Sequence, residues 1–95
     1  MIGKKSESLK ERRATIDAHV GERVRQARIL KGLSREQLAT EIGVSVPQLQ
    51  KYEAGVTRIS ARTLYELTRI LDQDVSFFFS GMEQSIRDGT LPKPI

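Results

Sequence analysis

The side chains in this sequence that could carry chemistry are binding groups rather than nucleophiles. There is one histidine, His19, and no cysteine, and the carboxylates do not cluster in a plausible pocket. Without a second ligand for His19 or a nucleophile beside a general base, neither a metal site nor a catalytic constellation can be assembled. We therefore expect a protein that is not an enzyme and that holds no cofactor and no metal, and His19 is interpreted as a surface residue.

The distribution of charge favours an anionic partner. The formal net charge is +4. The basic excess lies in residues 1–15 and 23–69, whereas residues 70–95 carry more acidic than basic side chains. This arrangement suits an anionic partner that approaches one side of the protein. A solvated surface of mixed charge is the alternative, and the modest net charge leaves it open.

Length and composition indicate one small domain with tails. The chain has 95 residues, of which 38% are hydrophobic, enough for one modest core. No apolar run approaches the length that spans a membrane, and the first residues contain no apolar signal core. We expect a cytoplasmic location and no membrane partner, and the absence of cysteine agrees with a reducing compartment.

The stretch 33–55, around which these groups are organised, begins with a predicted short helix. Ser34 is a good N-cap, and Gln37 stands three residues later, where a capping box places its partner. Gly43 predicts the end of this helix, because glycine adopts the left-handed conformation without a Cβ clash. The apolar face consists of Leu38, Ala39 and Ile42.

A second short helix follows almost at once. Ser45 predicts its start, with Gln48 three residues later and Pro47 in the first turn, where a missing N–H is harmless. Leu49 and Tyr52 form the buried face, and the helix closes at Gly55.

The turn between the two helices is too short for them to lie side by side. It consists of Gly43, Val44 and Ser45, with Val44 as an apolar plug, so the helices must cross steeply. This is the helix-turn-helix arrangement, in which the second helix enters the major groove of DNA. An ordinary corner between two helices of a small bundle is the alternative.

The rest of the chain predicts an all-α fold of four to five helices, since no strand-like alternation is present. Asp17 is the expected N-cap of a core helix from 18 to 31, and Ser60 that of a helix from 61 to about 72. A fifth helix contains the three phenylalanines, with an apolar face that extends to about residue 87. We expect a basic, partly helical arm at 1–17, a DNA-binding domain at 18–80 and an extension at 81–95 that contributes to a dimer contact.

Three consecutive phenylalanines predict a surface for dimerisation. Successive helical positions diverge by about 100°, so Phe77, Phe78 and Phe79 cannot all point into one small core. At least one should lie at the surface, joined by Met82 or Ile86, and an exposed patch of this kind marks a contact. The alternative is an apolar tail that folds over the first core helix and covers Ile29 and Leu30.

Residues 20–79 resemble the helix-turn-helix domain of the XRE family, the Cro and phage-repressor type. The resemblance is carried by the composite pattern R-x-x-KGLSxEQLAxxxGVSxxQLxxYExG and by LTRIL at the end of the next helix. It implies a compact five-helix domain that binds DNA as a dimer and regulates transcription, and it implies no enzyme. The departures are the longer N-terminal arm and Val46 and Pro47, which occupy positions where polar residues are common.

The resemblance also implies roles for individual residues. Arg28 matches the basic residue that pairs with Glu53, a physically reasonable pairing because a lone buried carboxylate is costly to desolvate. The positions that face the bases are Ser45, Val46, Pro47, Gln48, Gln50 and Lys51. The positions at the DNA backbone are Arg35, Gln37, Thr57, Arg58 and Ser60. Gln48 could instead only complete a capping box, Pro47 only start the helix, and Lys51 reach only a phosphate.

The leading hypothesis is a sequence-specific transcriptional regulator, a repressor that binds a palindromic operator in double-stranded DNA as a homodimer. A protein-interaction adaptor built on the same fold is the second hypothesis. An antitoxin, with a tail that grips a toxin, would combine the two.

Overall fold

The computed structural model describes residues 8–82, which form five helices. They are α1 (Leu9–Lys31), α2 (Arg35–Ile42), α3 (Val46–Glu53), α4 (Ala61–Ile70) and α5 (Val75–Phe79). This confirms the all-α prediction, since no strand occurs in residues 8–82. No helix in this range has the length and apolar character needed to cross a membrane. The expected continuation to residue 87, and Ile86 with it, lies outside the described residues.

Helix α1 begins much earlier than the sequence analysis predicts. Ser8 is its N-cap: the Ser8 Oγ accepts from the Glu11 N–H at 3.1 Å, and Glu11 Oε1 accepts from the Ser8 N–H at 2.8 Å. Asp17 lies inside the helix, so its assignment as the N-cap is wrong. The reciprocal Ser8–Glu11 capping box stabilises a helix start, and no glycine or proline interrupts the chain between Ser8 and Asp17.

The core receives buried side chains from all five helices and from Leu71, just after α4. Its fully buried large side chains are Val24, Leu38, Leu49, Leu67, Leu71 and Phe78. Burial of such a side chain contributes about 1.5–3 kcal/mol to stability. Helix α1 packs against α3 and α5, and α2 packs against α3 and α4. Of the two helices of the predicted motif, α2 is therefore supported by α4, and α3 is supported by α1.

Gly21 brings the backbone of α1 against the end of α3. A Cβ atom at Gly21 would lie 2.8 Å from the Glu53 carbonyl oxygen, and the Tyr52 carbonyl oxygen is nearer still. Gly55 makes a similar contact just after α3, because its added Cβ would lie 2.5 Å from Ala18 Cα. These two close approaches fix the position of α3 on α1.

Helix α5 leaves one of its three phenylalanines at the surface, as expected. Phe78 is fully buried, Phe77 is half-buried, and Phe79 is 44% exposed. Met82 is half-buried and packs against the core. The exposed apolar surface of α5 within the described residues is therefore contributed by Phe79 together with Val75.

Two side chains of α1 hold the end of α5. The Arg23 Nε–H donates to the Phe77 carbonyl at 2.8 Å, and its guanidinium carbon lies 3.9 Å from the centre of the Phe77 ring. His19 Nε2 donates to the Ser80 carbonyl at 2.8 Å. His19 is half-buried rather than a simple surface residue, and its role here is to tie the two helices together.

The far end of α1 carries an exposed apolar pair. Ile29 and Leu30 are 54% and 70% exposed, so no element within residues 8–82 covers them.

Helix α5 begins at the N-cap Asp74. The Ser76 hydroxyl and the Ser76 N–H both donate to the Asp74 carboxylate, and these bonds, the hydroxyl first, lower the pKa of Asp74.

Candidate nucleic-acid interface

The first helix of the motif, α2, has the predicted start and end. Ser34 Oγ accepts from the Gln37 N–H at 3.0 Å, and Gln37 Oε1 accepts from the Ser34 N–H at 2.8 Å. The helix ends at Gly43, whose φ of 75° is left-handed. The turn then reaches the next N-cap, Ser45, within two residues, and Val44 packs half-buried against the core.

The second helix, α3, has an N-cap hydrogen bond but lacks the reciprocal bond of a capping box. Ser45 Oγ accepts from the Gln48 N–H at 3.1 Å. The reciprocal bond, which Gln37 makes in α2, is not formed by Gln48, whose side-chain amide has no hydrogen bond to any residue in 8–82. Gln37 and Gln48 occupy the same position in their helices. The side-chain oxygen of Gln37 is already used in the capping box, whereas the side-chain amide of Gln48 has both its oxygen and its NH₂ group available to bind a ligand.

The exposed face of α3 is polar and basic. Pro47, Gln50 and Lys51 are exposed, and at 100° per residue they lie on the side of the helix opposite the fully buried Leu49. Ser45 is also exposed at the start of the helix. Lys51 makes no side-chain hydrogen bond or ion pair with any residue between 8 and 82. This face can therefore offer an amide and an ammonium group to a ligand.

Two of the six residues predicted to face the bases are less accessible. Val46 is half-buried and packs against the core, so it contributes to the hydrophobic contact of α3 as well as to the surface. Gln48 is also half-buried, at the border between the exposed and the buried face.

Behind this face, Arg28 and Glu53 form a buried ion pair. The Arg28 Nε–H donates to Glu53 Oε2 at 2.7 Å, and Nη2 lies 3.4 Å from Oε1. Arg28 Nη1 also donates to the Leu33 carbonyl at 3.0 Å. The side chains are only 10% and 3% exposed. The pair joins α1, the α1–α2 connection and the end of α3.

A second arginine shares the same carboxylate. The Arg35 Nε–H donates to Glu53 Oε1 at 3.1 Å, and the Arg35 side chain is 41% exposed. Sequence reasoning missed this contact, because the approach of the start of α2 to the end of α3 depends on how the helices cross. Arg35 and Gln37 thus stand together at the start of α2, where backbone N–H groups and the helix dipole favour an anion.

The remaining predicted backbone contacts lie before and at the start of α4. Ser60 Oγ accepts from the Thr63 N–H at 3.1 Å, and its hydroxyl donates to Thr63 Oγ1 at 3.1 Å. The Ser60 hydroxyl is therefore committed to the cap of α4. Arg58 is exposed just ahead of it, and Thr57 is half-buried.

The described residues offer no grouping of three or more histidine, cysteine or carboxylate side chains that could hold a metal ion. The polar groups of the site are instead amides, guanidinium groups and an ammonium group. Their chemistry is that of hydrogen bonding to an anionic or polar surface.

Two short capped helices that cross at a tight turn, with a polar and basic face on the second, define a helix-turn-helix DNA-binding protein. The chain belongs to the HTH_3 helix-turn-helix family, whose profile matches residues 24–78. This family consists of DNA-binding transcriptional regulators, so the resemblance to the XRE type and the expectation of a non-enzymatic protein are confirmed.

Proteins similar in sequence are also named as transcriptional regulators. The chain is 48% identical over 80 residues to an uncharacterized transcriptional regulator in the ATPase CF(0) region of Rhodospirillum rubrum. This match covers 82% of this chain and 74% of the Rhodospirillum protein. It is 36% identical over 94 residues to an uncharacterized helix-turn-helix-type transcriptional regulator of Rickettsia prowazekii. The match covers 99% of this chain but 66% of the Rickettsia protein, which is therefore longer.

Solved structures show the same fold. The restriction-modification controller protein C.AhdI from Aeromonas hydrophila matches with a TM-score of 0.61 and 31% identity, over 65% of this chain and 94% of that one. The clp gene regulator ClgR from C. glutamicum matches with a TM-score of 0.68 and 24% identity, over 74% of this chain and 91% of that one. The second likeness concerns the fold alone.

Proposed function

We propose that this protein is a sequence-specific repressor that acts in the cytoplasm and binds a palindromic operator as a homodimer. The observation that carries the proposal is the exposed face of α3, on which Gln50 and Lys51 stand without partners among residues 8–82. The start of α2, with Arg35 and Gln37, provides the neighbouring anion site. A helix that inserts this face into the major groove would bring the start of α2 to the DNA backbone.

The proposal divides the site into base contacts and phosphate contacts. Glutamine can pair with adenine through two hydrogen bonds, and lysine can donate to O6 or N7 of guanine. Gln48, Gln50 and Lys51 are assigned to the bases on this ground. Arg35 and Arg58 are assigned to phosphates, which position the protein without distinguishing sequences.

Lys51→Ala is expected to flatten the selected DNA motif at one base pair in each half-site. The loss of a specific base contact costs about 1–3 kcal/mol and relaxes preference at that position. Arg35→Ala should instead weaken binding to all sequences and lower the salt slope by about one. The measurement is selection of bound sites from random DNA, with salt titrations, on both variants.

Lys31→Ala is the matched control, because Lys31 is exposed at the end of α1 and belongs to neither set. It should leave the motif unchanged. If Lys51→Ala keeps the full motif and Arg35→Ala alters it, the two roles are assigned the wrong way round.

Dimerisation is proposed to involve the exposed surface of α5, with Phe79 at its centre. Two protomers would place their α3 helices on half-sites whose centres are about 10 base pairs apart. Sedimentation should show a dimer at micromolar concentration or on operator DNA, and Phe79→Asp should shift it toward monomer. Leu30→Asp, which changes an even more exposed apolar residue on α1, should have no such effect. A wild-type monomer that operator DNA does not alter would contradict the proposal.

The second candidate function is a protein-interaction adaptor or antitoxin. The exposed pair Ile29 and Leu30, at the end of α1 away from α5, favours it. Binding to mixed genomic DNA at several salt concentrations distinguishes the two functions. A regulator should bind with a strong salt dependence and enrich a palindrome, whereas an adaptor should do neither.

A further inference from the structure

We propose that Glu53 is a positioning residue, which holds the Arg35 guanidinium in a fixed orientation for a DNA phosphate. The inference rests on the proposed function and deepens it. It gives the buried ion pair a part in DNA binding in addition to its part in stability. The observation behind it is that the Arg35 Nε–H donates to Glu53 Oε1 at 3.1 Å.

The donors of the two arginines are used very differently. In Arg28, Nε and Nη2 donate to the Glu53 carboxylate and Nη1 donates to the Leu33 carbonyl, and the side chain is almost completely buried. Arg35 uses only Nε among residues 8–82, while its side chain remains 41% exposed. Because a guanidinium group is planar and rigid, fixing Nε on the carboxylate also fixes the direction of both Nη groups.

The charges around Glu53 also favour an external anion. One buried carboxylate faces two guanidinium groups, so the cluster keeps a net positive charge whose accessible part is Arg35. Arg35 is the first residue of α2, where the positive end of the helix dipole disfavours a cation. Glu53 offsets this repulsion in the protein alone, and a phosphate beside the Nη groups would offset it further.

Orientation before binding has a measurable consequence. A long side chain that is already held loses less conformational entropy when the phosphate arrives. Glu53 would then act on DNA affinity through Arg35, without touching the DNA.

The first test is side-chain NMR of the wild-type protein without DNA. The Arg35 Nε–H should show slow exchange with water and a rigid heteronuclear NOE, close to those of Arg28. Arg62 is the internal reference, since its side chain is 81% exposed and its pair with Glu66 spans 3.6 Å. An Arg35 Nε–H that is as mobile as that of Arg62 would overturn the proposal.

The second test is a double-mutant cycle on DNA affinity, at a temperature where every variant is folded. Arg35→Lys keeps the charge but cannot reproduce a held guanidinium, so affinity should fall about tenfold with an unchanged salt slope. In a Glu53→Gln background the same substitution should cost much less. An equal loss in both backgrounds would show that Glu53 does not position Arg35.

The outcomes are separable from the proposed function. If the wild-type protein binds no DNA, the proposed function fails, whereas the NMR result still reports on whether Arg35 is held. Should Glu53→Gln fail to fold, the NMR comparison of Arg35 with Arg62 decides the matter on its own.

Discussion

Replacement of Glu53 by alanine is expected to lower the free energy of unfolding by about 3–5 kcal/mol. The Glu53 side chain is 3% exposed and accepts hydrogen bonds from both Arg28 and Arg35. The substitution would leave Arg28, only 10% exposed, as a buried charge with one remaining partner, the Leu33 carbonyl. Arg35 can turn to solvent, so most of the loss should come from Arg28.

Urea denaturation followed by circular dichroism measures this effect. The matched control is Glu41→Ala, since Glu41 is exposed on α2 and forms no ion pair among residues 8–82. The control should change stability by less than about 0.5 kcal/mol.

The double substitution Arg28→Met with Glu53→Leu should recover part of the loss. Replacement of both members of a buried pair by apolar residues leaves no unpaired charge behind. If Glu53→Ala is close to neutral, the carboxylate must be solvated and the ion pair cannot be buried as described.

The local elements of this fold could be predicted because their signals lie within four residues of each helix end. Ser34, Ser45 and Ser60 each cap a helix through the N–H three residues later, and Gly43 ends α2 with a positive φ. The start of α1 differs from the prediction, because Asp17 is a plausible N-cap in sequence but lies inside a helix that begins at Leu9. The capping box of Ser8 with Glu11 is visible in the sequence and would have given the correct start.

The contacts between distant segments could not be derived in the same way. The family resemblance predicts the pair of Arg28 and Glu53, which the spacing of the two residues does not. The bond of Arg35 to Glu53 and the contacts of His19 and Arg23 with α5 depend on how helices cross. No spacing rule along one helix specifies such a crossing, because many packing angles satisfy the same apolar faces.

Gly21 is the least conspicuous of these tertiary positions, and Gly21→Ala is expected to destabilise the protein by about 3 kcal/mol. Alanine alone would favour a helix interior over glycine by roughly 1 kcal/mol, so helix propensity predicts the opposite sign. The added Cβ would, however, meet the Tyr52 and Glu53 carbonyl oxygens, which belong to the backbone and cannot rotate away. Either α1 or the end of α3 must shift.

Gly32→Ala is the control for this substitution. Gly32 has a φ of 79° and no atom within 4 Å of an added Cβ, so alanine there adds only backbone strain, about 1–2 kcal/mol. The amide signals of Tyr52, Glu53 and Ala54 should move in Gly21→Ala and stay in place in Gly32→Ala. A Gly21→Ala protein as stable as the wild type would show that the two backbones are not in contact.

A shift of α3 should also weaken specific DNA binding more than non-specific DNA binding. Non-specific affinity depends on phosphate contacts, whereas specific affinity requires Lys51 and Gln50 to meet base edges while Arg35 keeps its phosphate. Because Gly21 sets where α3 sits on α1, Gly21→Ala should reduce the ratio of operator to random-DNA affinity even where the protein is fully folded. Gly32→Ala should keep that ratio. Titration of both variants with operator and random duplexes at one salt concentration tests this, and an unchanged ratio in Gly21→Ala would mean that the position of α3 does not depend on this contact.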